Sequence, residues 1–266
     1  MSGAPASSFA MHTPRSFFLF VFFALLFPGV RFAQAAWSLE ESKPLPAPAG
    51  LQFTERRVKS ETDDATLWVV TFDPKTHAFA VMDNPEGSFD LGTAAEKRGI
   101  LAGVNGGYFH PDRTPLGLLV RQGVELHPLE HAKLLSGVLS VTATGITIQR
   151  TGAFKSSPAV REALQAGPFL VERGQPITGL EATKSAARTV VFQDAKGRCG
   201  FLIGKSATLA GAAEILATPG VFPEGKIVRA LNLDGGSSTA LWVRGTPPFY
   251  AHEWKSVRDY VAIVPR

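Results

Sequence analysis

From Leu51 onward the apolar residues come in short runs, each broken within a few positions by glycine, proline, asparagine or aspartate. That punctuation limits the fold more than any other feature. "TLWVVTFD" (66–73), "HAFAVMD" (77–83), "ILAGVN" (100–105) and "LGLLVRQG" (116–123) read as strands, with Pro74-Lys75-Thr76 as a hairpin between the first two. "GVLSVTATGITIQR" (137–150) reads as two strands hinged at Gly145, and further strands are expected at 168–172, 188–194, 199–204, 226–233 and 258–265. Helices are few. "GTAAEKRG" (92–99) is one. "SPAVREALQ" (157–165) is a second, with Ser157 as cap and Pro158 in the first turn. "SATLAGAAEILAT" (206–218) is the third, capped by Ser206, apolar on the face of Leu209, Ala212, Ala213 and Leu216, and stopped by Pro219-Gly220. Many strands, few helices and short connections predict an α+β fold. It is a single domain with largely antiparallel or mixed β-sheet, flanked by a few helices.

The first 50 residues have a different character. Arg15 precedes an unbroken apolar run of 11 residues, Phe17 to Phe27, and Ala33-Gln34-Ala35 follows. A basic start, a short apolar core and an A-x-A site predict a signal peptide over residues 1–35. The run is short of the roughly 20 residues that span a bilayer, so the mature protein is expected to be secreted or periplasmic, with no stable membrane insertion. "KPLPAPAG" (43–50) predicts a proline-rich linker over 36–50, leaving 51–266 as the domain. Cleavage after Ala35 removes 35 of 266 residues, and the 231 that remain are enough for one well-packed core. It also removes Arg15 and Arg31 from 27 basic residues, leaving 25 against 23 acidic ones, a net charge of +2. Such a balance gives no electrostatic footprint for nucleic acid. The one cysteine, Cys199, excludes an internal disulfide and reads as a small buried residue at a strand start.

Three strand ends share one chemical style. "GVNGGYFHPD" (103–112) ends an apolar strand in Asn105 and follows it with Gly106, Gly107 and Tyr108. "SAARTVVF" (185–192) puts Arg188 at the head of an apolar strand. "LNLDGGSSTALW" (231–242) presents Asn232 and Asp234 on one side of a strand while Leu231 and Leu233 face the other. An Asp-Gly pair between apolar runs is a hairpin signal. It is equally a place where Gly235 and Gly236 allow close approach of a ligand to the backbone, successive amides form an anion-binding concavity, and Ser237, Ser238 and Thr239 offer hydroxyls. The histidines have no metal-ligand spacing, and no nucleophile elbow, phosphate loop or dinucleotide fingerprint is present. No cofactor and no metal are expected. The alternative role for Asp234 is structural or cation-coordinating, since a carboxylate among hydroxyls and amides could hold Ca²⁺.

Taken together, "NGGYF", "AGPFLVERG" (166–174), "ARTVVF" and "NLDGGSSTAL" resemble, in order and spacing, the phosphodiester glycosidase family. The resemblance runs from about Leu51 to Arg266. The two-glycine form of the last motif resembles a short bacterial subgroup associated with exopolysaccharide. It implies hydrolysis of a glycosidic bond to a phosphate diester, with a carbohydrate or sugar-phosphate substrate. The chemistry is coherent with one carboxylate. Ordinary glycosidases need two, but a sugar 1-phosphodiester leaves as a phosphate monoester, whose second pKa of about 6 makes it a good leaving group. Asp234, Arg188 and Asn105 are then the expected catalytic residues. Arg188 would hold phosphate oxygens, Asn105 and Asn232 would fix sugar hydroxyls, and Asp234 would act as nucleophile, base or stabiliser of the oxocarbenium ion. Gly106, Gly107, Tyr108, Asn232 and Gly235 to Thr239 would line the substrate. A non-catalytic glycan-binding protein of the same fold, assisting exopolysaccharide synthesis or export, is the alternative.

Overall fold

The computed structural model describes residues 37–266, together with Met1, Gly3 and Ala4. The signal-peptide run at Phe17–Phe27 and the cleavage site at Ala33–Ala35 lie outside the described residues. All the elements below belong to one compact unit, Ala35–Arg266.

Strands are numbered along the chain and form three sheets. The largest has the order β1 (Ser38–Leu45), β2 (Leu51–Lys59), β3 (Asp64–Phe72), β14 (Cys199–Ala207), β13 (Ala186–Asp194), β15 (Ile227–Asn232), β11 (Phe169–Glu172) and β12 (Gln175–Pro176). A second has the order β7 (Val124–His127), β6 (Leu119–Arg121), β10 (Val160–Ala166), β8 (Gly137–Thr142) and β9 (Gly145–Arg150). The third has the order β17 (Phe249–Ala251), β16 (Leu241–Val243), β5 (Ala102–Asn105), β18 (Asp259–Pro265) and β4 (His77–Asp83). Every ladder among the described residues is antiparallel, so the fold is α+β with antiparallel sheet.

The three inner faces close on one core. Phe53, Phe72 and Phe201 come from the large sheet, Phe79, Val104 and Val261 from the third, and Leu119, Leu139 and Leu164 from the second. Phe79 meets Phe72 edge-on, with ring centroids 4.9 Å apart. Two helices cover outer faces. α1 (Leu91–Arg98) packs Leu91, Ala94 and Ala95 against Trp242, Tyr260 and Ala262. α2 (Leu209–Ala217) packs Ala213, Ile215 and Leu216 against Val190, Phe192 and Leu202. Cys199 is fully buried at the head of β14, and burial pushes its thiol up to about 12.

Several expectations are corrected. The helix expected at 157–165 is strand β10, held between β6 and β8. Ser157 does not cap a helix; its carbonyl closes a turn by accepting from the Val160 amide at 3.0 Å. Helix-favouring Ala, Leu, Glu and Gln are overridden there by distant partners. Glu162 accepts from the amides of Val81 and Gln122, and buried Gln165 accepts from those of Leu118 and Glu130. The linker expected at 36–50 contains β1, whose Pro44 sits on the outermost strand, where a missing N–H costs least. The hairpin at 74–76 does not form a ladder, because β3 is paired by β2 and β14 and β4 by β18. Helix α2 is capped by Thr208, whose side chain accepts from Gly211 N at 2.9 Å, while Ser206 remains in β14. The segment after β15 is also no hairpin: β15 belongs to the large sheet and β16 to the third.

Candidate functional site

The connection from Leu233 to Ala240 crosses between two sheets, and buried side chains fix it at both ends. Asn105, at the end of β5, is fully buried. Its Nδ2 donates to the Asp234 carbonyl at 2.8 Å, and its Oδ1 accepts from Ala240 N at 3.1 Å and from the Thr189 hydroxyl at 2.6 Å. The Asp234 amide donates to Gly106 O at 3.1 Å, and the Leu233 amide to Thr189 O at 2.8 Å. One asparagine thus ties β5, β13 and both ends of the turn together. An unpaired amide here would cost the desolvation of each buried group, so the strand end and the turn are one unit.

The Asp234 carboxylate is half-buried. It accepts from its neighbour Gly235 N at 2.8 Å and interacts with the Ser238 hydroxyl. It forms no ion pair with any described cation. Burial raises its pKa above the usual carboxylate range, partly offset by Ser238 and Gly235. Tyr108 stands nearby. Its hydroxyl donates to Gly167 O at 2.7 Å and accepts from Asn232 Nδ2 at 2.9 Å. Burial, and then the Asp234 charge, push its ionisation well above the ordinary phenol, so it stays neutral.

Asn232 is buried, and its Nδ2 also donates to Gly167 O at 3.1 Å and to Leu233 O at 2.5 Å. Its Oδ1 has no hydrogen-bond partner among the described residues. Asn105 and Asn232 therefore spend their donors inside the fold, Asn105 on the turn and Asn232 on Tyr108, Gly167 and Leu233. Arg188 is adjacent in backbone: a Cβ on Gly235 would stand 3.8 Å from its Cα. Its guanidinium is tied down, Nε donating to Ala207 O at 2.9 Å and Nη2 to Lys184 O at 2.8 Å. Its charge reaches Tyr108. The expected anion-binding concavity is narrower than a Gly-Gly-Ser run suggests. The amides of Gly235, Ser238 and Thr239 are spent within the turn on Asp234 Oδ1, Gly235 O and Gly236 O. Ser237 is exposed, and its carbonyl accepts from Trp254 N at 2.8 Å. Thr239 is buried beside Thr189.

One carboxyl escaped the sequence reading. Asp259, the first residue of β18, is 1% exposed and lies beneath Gly106 and Gly107. Its Oδ1 accepts from Gly107 N at 2.9 Å, and its carbonyl accepts from Gly106 N at 2.9 Å. A Cβ on Gly106 would overlap that carboxylate oxygen. Burial pushes Asp259 up to about 7; the Gly107 amide and Arg258 pull it down, and Asp234 raises it further. Asp259 and Asp234 thus form a deep and a shallow carboxyl close enough to sense each other. Thr189 was also missed; only its place beside Arg188 hinted at it. Among the described residues no His, Cys, Asp and Glu cluster could hold a metal ion.

Comparisons with known proteins agree on the frame around this site. The chain is 31% identical over 114 residues to the uncharacterized protein YigE of Escherichia coli (strain K12), a match covering 40% of this chain and 45% of that protein. The match thus spans less than half of that relative's length. A crystal structure of a hypothetical protein from Synechocystis superposes with a TM-score of 0.62 at 16% identity, covering 85% of this chain and 64% of that one. The catalytic domain of zebrafish N-acetylglucosamine-1-phosphodiester alpha-N-acetylglucosaminidase, auto-inhibited by its pro-peptide, also superposes with a TM-score of 0.62. Identity is 14%, over 87% of this chain and 89% of that one. At these identities the two structures share the fold. A sequence model of the phosphodiester glycosidase family matches residues 98–264, a span that includes Asn105, Arg188, Asp234 and Asp259. With more than half of its length matched in this way, the chain belongs to the phosphodiester glycosidase family.

Proposed function

We propose that the protein is an exported hydrolase that cleaves the glycosidic bond of a sugar 1-phosphodiester in a cell-envelope or extracellular glycan. The observation that carries this reading is the state of Asp234. It is a partly accessible carboxylate, without a cationic partner among the described residues, on a rigid turn. The other carboxyl nearby, Asp259, is too deeply buried to touch a substrate. One reachable carboxylate suits a reaction whose leaving group needs little protonation. As the C1–O bond breaks, its electron pair goes to the phosphate monoester. Asp234 stabilises the positive character that develops at C1, water adds there, and the proton it loses passes to solvent. The neutral Tyr108 hydroxyl and the Arg188 charge supply polarity beside the carboxylate. Export rests on the sequence of residues 15–35.

The direct test is incubation of the purified protein with a panel of α-linked sugar 1-phosphodiesters, N-acetylglucosamine first. Free reducing sugar and a phosphate monoester should appear in equal amounts. Saturable binding of these compounds without any release would instead support a glycan-binding protein.

A further inference from the structure

The end of β15 opposite to Asp234 carries a surplus of positive charge. The start of β15 meets the β11–β12 hairpin and the loop between β13 and β14 there: Gly174 N donates to Val228 O at 3.1 Å, and Ala195 N to Lys226 O at 2.8 Å. The carboxylates on these segments are each spent on an arginine of their own. Glu172 pairs with Arg150 at 2.9 Å, Asp194 with Arg198 at 2.7 Å and Glu224 with Arg56 at 2.8 Å. Four cations are left over. Arg173, Lys196 and Lys226 are exposed, Arg229 is half-buried, and none has an ion pair among the described residues. On a chain whose balance after the expected cleavage is only +2, that is a strong local bias.

The cluster is held in place. Arg229 Nη1 donates to Ile148 O at 2.8 Å. A Cβ on Gly174 would stand 2.8 Å from Lys226 Nζ, so the ammonium lies against the hairpin tip. Arg173 and Gly174 form the two-residue loop of that hairpin, at φ +52° and +74°. Such a loop favours asparagine or glycine at its first position, because other side chains enter the left-handed region at a cost. Arg173 bears that strain without an ion pair to offset it. The hydrogen bond from Arg150, and then the charges of Arg229 and Arg173, hold the Glu172 carboxyl below its ordinary range against its slight burial. Three guanidinium groups thus crowd one carboxylate, and a bound anion would relieve their repulsion.

We infer that this end of the sheet is a second docking surface, remote from the reaction, for the phosphate groups of a phosphodiester-linked glycan. The inference rests on the proposed cleavage of a sugar 1-phosphodiester and extends its substrate to a polymer, with one repeat at Asp234 and others held by Arg173, Lys196, Lys226 and Arg229. Lys226 and Asp234 are separated by about 25 Å of strand, which a chain with a phosphate in each repeat can span. Arginine and lysine are the side chains that hold phosphate oxygens. A lipid surface is the other source of clustered phosphates. Interfacial anchors, however, combine cations with exposed apolar side chains. Within residues 37–266 the large exposed apolar side chains are Val124, Leu126, Leu134 and Trp254, all on other segments.

Binding can be read without turnover, by calorimetry and by co-sedimentation. The probes are a poly(glycerol phosphate), inorganic phosphate, and vesicles of phosphatidylglycerol and phosphatidylcholine in equal parts. The polymer should bind saturably and more tightly than inorganic phosphate, with an affinity that falls as salt rises. Arg173→Asn and Lys226→Gln should each weaken it about fivefold and together about 25-fold, the loss expected for each charge removed from before an anionic surface. Arg173→Asn should also unfold at a higher urea concentration than wild type, because asparagine accepts the left-handed loop. Its weaker binding is then not a damaged fold. Both positions lie at the far end of the sheet from Asp234, so hydrolysis of a small sugar 1-phosphodiester should be unchanged. No saturable polymer binding by the unaltered protein, or equal binding by the double variant, overturns the surface. Vesicle binding in place of polymer binding, lost in the double variant, overturns the glycan and assigns these cations to a lipid surface. Polymer binding that depends on them, in a protein that hydrolyses no sugar 1-phosphodiester, would remove the proposed reaction and leave the surface in place.

Discussion

Two aspartates with different surroundings divide the work of the site. Asp234 can meet a ligand; Asp259 holds the Gly106-Gly107 amides in position from below. The cost of burying Asp259 has a measurable sign. Its folded pKa of about 7 lies above the unfolded value of about 3.9. Its contribution to stability is therefore complete below pH 4 and is lost as pH rises toward 7. Asp259→Asn removes that dependence while keeping an acceptor for Gly107 N. Urea midpoints measured between about pH 4 and pH 8 should show the wild type losing ground to Asp259→Asn up to about pH 7 and then running parallel. Profiles parallel throughout would mean that Asp259 titrates alike in the folded and unfolded protein. Asp234 senses the charge on Asp259, so the difference between the two proteins reads the coupled pair, with Asp259 as its more deeply buried member. This pair was half legible in the sequence. Asp234 announced itself by the glycines after it. Asp259 did not, because what buries it is a contact 152 residues away along the chain.

The turn between β15 and β16 shows how an element is misread and why. An Asp-Gly pair between apolar runs predicts a hairpin, yet the flanking strands leave for different sheets. Gly235 is needed for space. Its φ of −144° is ordinary extended backbone, but a Cβ there would stand 2.7 Å from Ala187 O. Gly236 is the residue with left-handed backbone, at φ +62°, and it has open space around it. Gly235→Ala should therefore cost about 1–3 kcal/mol, as overpacking does, and lower turnover by pushing the Asp234 turn away from β13. Gly236→Ala should cost about 1–2 kcal/mol from backbone strain. Denaturant unfolding of both variants checks this, and a Gly235→Ala protein as stable as wild type would contradict the close approach. Strand β10 was misread for a related reason. Its residues favour helix locally, and pairing with β6 and β8, both distant in sequence, turns them into a strand.

Across the molecule the class of fold was legible, since the punctuation of short apolar runs dictates sheet, whereas which strand meets which was not. Adjacent runs such as β3 and β4 go to different sheets, and sequence proximity carries no record of that. The N-terminal boundary is the clearest case. Residues 38–45 pair with β2 along its length, and Trp37 is 9% exposed in the cluster under α2. A protein beginning at Leu51 should therefore be less stable than one beginning at Ala36, by at least about 2 kcal/mol for the lost burial alone. Equal urea midpoints for the two would restore the segment to a mere linker.

The central claim is that the turn joining two sheets carries a working carboxylate, and Asp234→Asn tests it most directly. The substitution preserves shape and keeps an acceptor for Gly235 N, and it removes a charge that burial already disfavours. Melting temperature should match or slightly exceed wild type, while hydrolysis of a sugar 1-phosphodiester falls by at least about 100-fold, the order lost when one electrostatic stabiliser is removed from a transition state. Undiminished hydrolysis by a normally folded Asp234→Asn protein would contradict the account.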